Sequence, residues 1–387
     1  MAISQRLKFA VFMAPYHDPR ENPRLALHRD VELIQHVERL GFEEAWIGEH
    51  HTTGWEICPS PEVFLAYAGA LTHTIKLGTG VISLPYHHPF QVAERISLLD
   101  HLTRGRTILG VGPGVLPHDA AAIGLDSTQL RPRMEESLSV ILDLFAGKRV
   151  TAVTDWFELH DAKLELPPQR DDFEITITAS ASPNGPRLAG QRGISLMSLS
   201  AGTHSDLLAQ HWAIVQEEAA LAGHVVDRSQ WRLAGAIHVA ETEAEARANV
   251  MQGITGWAYY MKELVGLPIV PDRGSDDDII DSFIESGFAV IGTPDQAVKQ
   301  IRTLQEKSGG FGTFMIYAND WAGRDATFRS YELFARHVMP EFTGSNRPLL
   351  EAQRWAEEHD LKESYNKARA KVTAEYEALV ASRKSGA

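Results

Sequence analysis

Eight short apolar runs, rich in β-branched and aromatic residues, recur along the chain between longer segments of helical periodicity. They cover residues 7–13, 45–48, 75–84, 106–111, 174–179, 194–199, 231–239 and 313–317. This alternation is typical of βα units around a parallel sheet. Eight such strands predict a closed (β/α)8 barrel rather than an open sheet.

Three stretches do not fit an idealised barrel. We expect the barrel to span residues 1–345, with insertions at about 150–166 and 261–286. The first is predicted to form a small hairpin, and the second is either a lid or a disordered excursion. Residues 346–387 are charged and of helical period, which predicts a C-terminal helical extension. Gly41 and Gly105 stand where the helices before the second and fourth strands are expected to end.

Composition excludes several classes of protein. The 387 residues are 44% hydrophobic and 23% charged, which is enough for a large core. The formal net charge of −14 argues against nucleic acid or an anionic membrane as a partner. The single cysteine, Cys58, excludes an intramolecular disulfide and a paired-cysteine metal site. With no apolar run of membrane-spanning length and no secretion signal at the start, we expect a cytoplasmic protein.

Histidines follow three neighbouring predicted strands, at the end of a barrel where catalytic residues lie. The three stretches are Tyr16-His17, Glu49-His50-His51 and Tyr86-His87-His88. A metal site is not favoured, because adjacent residues on a strand point to opposite faces. His50 is the predicted catalytic residue, since a histidine titrates near neutral pH and can hold a proton at a reacting group. For His17, His87 and His88, simple packing or loop capping is equally compatible.

Small residues follow the fourth and fifth strands. The run 110–114, Gly-Val-Gly-Pro-Gly, fails the dinucleotide-binding pattern, which would need a glycine at Val115 and a place after the first strand. It suits close approach of backbone to a flat ligand, or a tight loop without a ligand. Ser180-Ala181-Ser182 precedes a predicted helix start. That arrangement can bind phosphate, although plain capping by Ser182 explains it as well.

Four segments together resemble the flavin-dependent luciferase-like monooxygenases, and within them the limonene monooxygenase-like branch. They are GFEEAWIGEHH at 41–51, LGTGVISLP at 77–85, LDHLTRGR at 99–106 and GTPD at 292–295. The resemblance extends over most of residues 7–340. It implies a barrel that binds reduced FMN at its C-terminal mouth. Oxygen would then give a flavin C(4a)-peroxide that oxygenates a small apolar substrate, such as a terpene-like alkene, a ketone or an aldehyde.

The resemblance also implies roles for individual residues. His50 would form a hydrogen bond with the oxygenated flavin, with Glu49 and His51 in support. Thr79, Gly80 and Val81 would lie under the isoalloxazine, where relatives can carry a non-proline cis peptide. Gly112, Pro113 and Gly114 would line the flavin. Bacterial luciferase has an arginine at the position of Pro113, so the phosphate is left to Ser180, Ala181 and Ser182.

Partners and substrate contacts are expectations of the same kind. Five aromatic residues are predicted to shape an apolar substrate pocket, with core packing as the alternative: Tyr16, Trp55, Tyr86, Trp257 and Trp321. Since no nicotinamide motif is present, a separate NAD(P)H:flavin reductase would supply reduced FMN to what we expect to be a homodimer. A deazaflavin-dependent oxidoreductase and a non-catalytic flavin-binding protein are the alternatives, and no metal is expected.

Overall fold

Twelve strands occur in the part of the chain that the computed structural model describes, residues 6–199, 205–266, 270, 275–359 and 361–385. They are β1 Lys8–Met13, β2 Glu44–Ile47, β3 Lys76–Thr79, β4 Ile82–Ser83, β5 Thr107–Gly112, β6 Val150–Val153, β7 Glu158–Ala162, β8 Ile175–Ala179, β9 Ser195–Ser198, β10 Arg232–Val239, β11 Ala289–Gly292 and β12 Thr313–Ala318. Eight of these strands form one parallel ring in the order β1-β2-β3-β5-β8-β9-β10-β12. Because β12 pairs with β1 and β9 with β10, the ring closes, and the predicted (β/α)8 barrel is confirmed.

Helices follow most of the strands, and five of them begin at a proline, whose fixed φ suits the first helical position. The helices are α1 Pro23–Leu40, α2 Pro61–Ala70, α3 Pro89–Leu102, α4 Pro117–Ala122, α5 Leu130–Phe145, α6 Asn184–Arg192, α7 Leu208–Ala222, α8 Glu243–Val250, α9 Ile254–Tyr259, α10 Asp276–Glu285, α11 Pro294–Ser308, α12 Arg324–Leu333, α13 Met339–Thr343, α14 Arg347–Glu358 and α15 Lys362–Ser385. Gly41 ends α1 with a φ of 88°, the left-handed conformation that favours glycine. None of the described helices is long and apolar enough to cross a membrane.

Two details of the barrel differ from the sequence prediction. The run 75–84 is not one strand, because Gly80 and Val81, joined by a cis peptide bond, separate β3 from β4. The strand β11 was not predicted, since four apolar residues after a polar insertion give too short a pattern. It pairs with the C-terminal half of β10 through Ala236–Val239. Ala236 also pairs with Tyr317 of β12. The strand β11 therefore lies along the edge of β10 that faces away from β12.

The predicted insertions and extension have defined secondary structure where the chain is described. The strands β6 and β7 form an antiparallel hairpin between α5 and β8. Within 261–286, residues 267–269 and 271–274 lie outside the described residues, and the helix α10 buries Ile280 and Phe283. Residues 343–387 form a separate compact unit that contains α14 and α15.

The barrel interior contains an apolar layer and a buried ion network. Alternating residues of β1 point outward, as Phe9 does, or inward, as Phe12 does, toward Trp46, Met197 and Met315. Arg232, on the inward face of β10, donates to both carboxylate oxygens of Glu44 at 2.7 and 2.8 Å and to Glu174 at 2.7 Å. These paired charges lie near the N-terminal ends of the strands and leave the opposite end free for a site.

Candidate active site

A cavity of about 280 Å³ opens at the C-terminal ends of the barrel strands. This is the face on which barrel enzymes place their chemistry, and the volume is near the lower end for small-molecule sites. Most of the lining is apolar and includes Phe12, Ile177, Leu199 and Tyr317. Eight of the predicted site residues line the cavity: Glu49, His50, Gly80, Val81, Pro113, Gly114, Ser180 and Ser182.

His50 follows β2, and each nitrogen of its ring faces a carboxylate. The Nδ1 atom lies 3.1 Å from Oδ2 of Asp119, and Nε2 lies 2.5 Å from Oε2 of Glu56. The carboxylate side chains are buried, with exposed fractions of 1% for Asp119 and 4% for Glu56. Asp119 also accepts hydrogen bonds from the backbone N–H of His51 at 3.1 Å and from the Thr52 hydroxyl at 2.5 Å. It therefore joins the loop after β2 to α4.

The two carboxylates determine the charge of His50. Burial alone would lower the pKa of His50, but Glu56 and Asp119 outweigh burial and raise this pKa to about 10. Burial would likewise raise the pKa of Asp119, whereas the hydrogen bonds from His50 and Thr52 bring it below its ordinary value. These two pKa shifts favour a charged pair of His50 and Asp119 at neutral pH.

Glu49 has a different set of partners. Its Oε1 atom accepts hydrogen bonds from Nε2 of His51 at 2.8 Å and from Nε2 of His87 at 2.6 Å. Its Oε2 atom accepts the backbone N–H of Ser83 at 2.7 Å. Burial would raise the pKa of Glu49, but the two histidines lower it. Glu49 thus connects the loop after β2 to β4 and to the turn that follows it.

One side-chain cluster in the described residues has the composition of a metal site. Ligand atoms of Glu49, His51 and His87 all lie within 4.8 Å of one another. Zinc sites use this combination of ligands, but here the two imidazoles donate their protons to the carboxylate. The side chain of His50 faces Asp119 and Glu56, whereas that of His51 faces Glu49, as expected for adjacent residues. The absence of a metal stays a prediction.

One end of the cavity carries groups suited to an anion. Ser180, Ser182 and Asn184 line it at the N-terminus of α6, and the backbone N–H of Asn184 donates to the Ser182 hydroxyl at 3.2 Å. The Ser182 hydroxyl thus accepts from the first residue of α6, although the N-cap position is occupied by Pro183, and Ser180 lines the cavity at the positive end of the helix dipole. Ala181 is exposed and lies outside the lining.

Arg131, in the first turn of α5, adds a positive charge at this end, and the sequence analysis did not identify it. It forms no salt bridge with any described residue, whereas Arg133 lies 3.3 Å from Asp155 and Arg187 lies 2.7 Å from Glu135. A signal was present in the sequence. The first turn of α5 contains two arginines and no acidic residue, which the helix dipole disfavours unless an anion lies nearby.

Another part of the cavity lining consists of backbone and small side chains. Gly80 and Val81 form part of it, and their peptide bond is cis. Gly114 has a φ of 86°, and a Cβ atom there would lie 2.2 Å from the Tyr86 hydroxyl, so the position requires glycine. Thr79 and Gly112 are outside the lining. The Thr79 hydroxyl exchanges hydrogen bonds with the backbone of Gly110 at 2.8 and 2.9 Å.

None of the five predicted substrate-contacting aromatic residues is among the residues that line the cavity. The rings of Tyr16 and Trp55 are stacked at 5.3 Å, and the ring of Tyr260 lies 5.3 Å from that of Tyr16. Trp257 and Trp321 are almost fully buried against each other in the same apolar cluster as Tyr16 and Tyr260. Tyr86 packs edge-on against His51 and lies behind Gly114. The aromatic residues that do line the cavity include Phe12 of β1 and Tyr317 of β12, and neither was predicted as a site residue from the sequence.

The sequence is similar to a known family and to characterised enzymes. The sequence model of a family described as luciferase-like monooxygenase matches residues 7–310. Limonene 1,2-monooxygenase of Rhodococcus erythropolis is 48% identical over 348 residues, covering 89% of this chain and 89% of that protein. 4-hydroxyprotoasukamycin monooxygenase of Streptomyces nodosus subsp. asukaensis is 42% identical over 363 residues, covering 92% and 97%.

The fold also matches a solved structure. It is a type II Baeyer-Villiger monooxygenase, the oxygenating constituent of 3,6-diketocamphane monooxygenase from the CAM plasmid of Pseudomonas putida, in complex with FMN. The TM-score is 0.75 at 24% identity, and the match covers 87% of this chain and 99% of that one. At this identity the likeness shows a common fold.

Proposed function

The chain belongs to the luciferase-like monooxygenases, and from that premise we propose that it uses reduced FMN and oxygen to oxygenate a small apolar substrate. The observation that carries the proposal is the polarity of the cavity. One end offers an arginine, two hydroxyls and a helix N-terminus, and the rest is a mainly apolar space with His50 at its wall. An amphiphilic cofactor with a terminal phosphate fits this distribution.

The residues present fit FMN in one orientation. Arg131, Ser180, Ser182 and the N-terminus of α6 would hold the phosphate, which compensates for the proline at position 113. The flat wall of Gly80, Val81 and Gly114 would lie against the ring system. When bound, reduced FMN supplies the reaction with oxygen, which side chains alone do not provide.

The surrounding residues would exclude water and hold charge. Phe12, Ile177, Leu199 and Tyr317 would keep the reacting region apolar, which favours an apolar substrate and limits unproductive oxidation. His50 would present a protonated ring at the wall. The limonene relative favours an alkene, whereas the diketocamphane structure belongs to an enzyme of the Baeyer-Villiger type. We propose a terpene-like alkene first, and a cyclic ketone or an aldehyde next.

Partners follow from the same reasoning. The structural relative is named as an oxygenating constituent, and this chain has no nicotinamide-binding pattern. We therefore propose that a separate NAD(P)H:flavin reductase supplies reduced FMN. A homodimer is also proposed, and light scattering of the purified protein would measure it.

The test is incorporation of labelled oxygen. Purified protein is mixed with chemically reduced FMN and ¹⁸O₂ in the presence of an alkene, a cyclic ketone or an aldehyde, and products are analysed by mass spectrometry. We expect one oxygen atom from ¹⁸O₂ in the product of one class, and a transient absorbance that matches neither reduced nor oxidised FMN. Turnover without oxygen, with a reduced deazaflavin as hydride donor, would replace this proposal with the deazaflavin alternative. FMN binding that yields only hydrogen peroxide with every substrate class would support a non-catalytic flavin-binding protein.

A further inference from the structure

Glu56 is a buried carboxylate that no motif singles out, and it faces the ring of His50. It lies in the loop after β2, and its side chain is 4% exposed. The loop is fixed at this point by an antiparallel bridge between Glu56 and Tyr16. The accompanying hydrogen bonds run from His17 N–H to Trp55 C=O at 2.7 Å and from Ile57 N–H to Pro15 C=O at 3.2 Å. The position of the carboxylate is therefore set by backbone contacts with the loop after β1.

The pair of carboxylates around His50 requires two ring protons. A neutral imidazole has one N–H and one lone pair, so one nitrogen would direct its lone pair at a carboxylate oxygen. At 2.5 Å from Glu56 and 3.1 Å from Asp119, that arrangement would be repulsive at one side. An imidazolium ion makes both contacts attractive, because it donates a hydrogen bond to Asp119 and forms a close ion pair with Glu56.

Among the described residues, His50 is the cationic group that contacts the Glu56 carboxylate. No lysine or arginine among the described residues forms a salt bridge with Glu56. The groups that approach it from other elements are neutral tyrosines. Burial, together with the charge of Glu56, raises the pKa of Tyr260 and Tyr317 above the ordinary range, and burial with Asp320, Asp18 and Glu56 does the same for Tyr16. The remaining titratable neighbours of His50 are Asp119 in α4 and the adjacent His51.

We propose that Glu56 is a positioning residue of this site, which together with Asp119 holds His50 doubly protonated, so that His50 acts as a fixed cation and not as a general base. The proposal rests on the proposed function for its catalytic meaning. A ring held in this way keeps both protons, and its positive charge offsets part of the negative charge of the two carboxylates. It cannot remove a proton from a substrate, because neither nitrogen has a free lone pair.

The experiment is an NMR titration of the histidines in the flavin-free protein. The His50 signal is assigned by its loss in His50→Gln, and its chemical shift is followed from pH 5 to the alkaline limit of folding. In the wild-type protein we expect the ring to stay protonated to a pKa of about 10. In Glu56→Gln, which keeps the shape and removes the charge, we expect that pKa to fall by about one to three units.

Glu62→Gln is the matched control. Glu62 is also a buried carboxylate, but its partner is Arg95 at 3.0 Å, and it does not line the cavity. Its substitution should leave the titration of His50 unchanged. Glu56→Asp, which keeps the charge on a shorter side chain, should restore part of the shift, and it serves as the second variant if Glu56→Gln does not fold.

A wild-type His50 that titrates near pH 6.5, or a His50 pKa that is equal in wild type and Glu56→Gln, overturns the proposal. Because this measurement needs neither flavin nor substrate, its failure is separate from failure of the oxygenation assay. If turnover is found, the rate in Glu56→Gln should decline above neutral pH as His50 loses its proton, while the wild-type rate stays level to about pH 9.

Discussion

Arg131→Ala should weaken the binding of FMN but not of riboflavin, which lacks the phosphate. Arg131 lines the same cavity as Ser180 and Ser182, which form the proposed phosphate-binding end of the FMN site, and it has no salt bridge with the described residues. A hydrogen bond to a charged group is worth about 1.5–3 kcal/mol. Arg131 is exposed, so solvent screening reduces this contribution to about 1–2 kcal/mol. The expected loss is therefore roughly 5- to 30-fold in the dissociation constant.

The assay is a fluorescence titration with FMN and with riboflavin, repeated with the reduced forms under anaerobic conditions. Arg133→Ala is the matched control, because it removes the same charge from the same helical turn while its side chain lies 3.3 Å from Asp155 and 5.4 Å from the Trp156 ring. Two results would refute the reasoning. One is an equal loss of affinity for FMN and riboflavin in Arg131→Ala. The other is a loss of FMN affinity in Arg133→Ala as large as in Arg131→Ala.

Three further predictions concern stability, each measured by urea denaturation. Gly114→Ala should destabilise the fold by about 1–3 kcal/mol more than Gly124→Ala, since both have a positive φ but only the first Cβ would meet the Tyr86 hydroxyl; equal losses would contradict this. The pKa of His50 is about 10 in the folded protein, against 6.5 in the unfolded chain. Its contribution to the free energy of unfolding is therefore complete below pH 6.5 and is lost as the pH rises through 10. The decrease in the free energy of unfolding between pH 6.5 and 10 should be about 2–5 kcal/mol smaller in His50→Gln than in the wild-type protein. An equal pH dependence in the two proteins would exclude the raised pKa of His50. Arg232→Met should cost about 3–5 kcal/mol, because it leaves the buried Glu44 without a cation, while Glu174 keeps Lys76 at 3.5 Å; a loss below about 1 kcal/mol would argue against the network.

The barrel could be predicted from sequence because its signal is local and repeated. Each of the eight predicted runs overlaps a strand of the ring, and the strand-to-helix alternation fixes the order of the elements. The strand β11 could not be found in this way, since its four residues after a polar insertion give too short a pattern. The interruption at Gly80 and Val81 was equally hidden, because the residues on both sides continue the same apolar pattern.

The site was predicted unevenly for a related reason. Residues that line the cavity directly, such as His50, Gly114 and Ser180, follow strands and can be located from the strand pattern alone. The residues that contact these lining residues from other parts of the chain cannot be located in this way. Asp119 is 69 positions from His50 and reaches it from a short helix, and Glu56 faces inward only because its loop pairs with Tyr16. Their contribution depends on tertiary contacts that composition and spacing do not encode.

The distribution of charge around the cavity favours one orientation of FMN in the proposed site. Three buried carboxylates approach the wall that carries His50, and each has a histidine nitrogen against it: Glu49, Glu56 and Asp119. The charge of this wall is therefore partly compensated by His50 and His51, whose pKa values are both raised. The lining also includes Arg131, which forms no salt bridge with any described residue. A dianionic phosphate would be attracted toward Arg131, and the ring system would then be directed toward His50 before any specific contact forms.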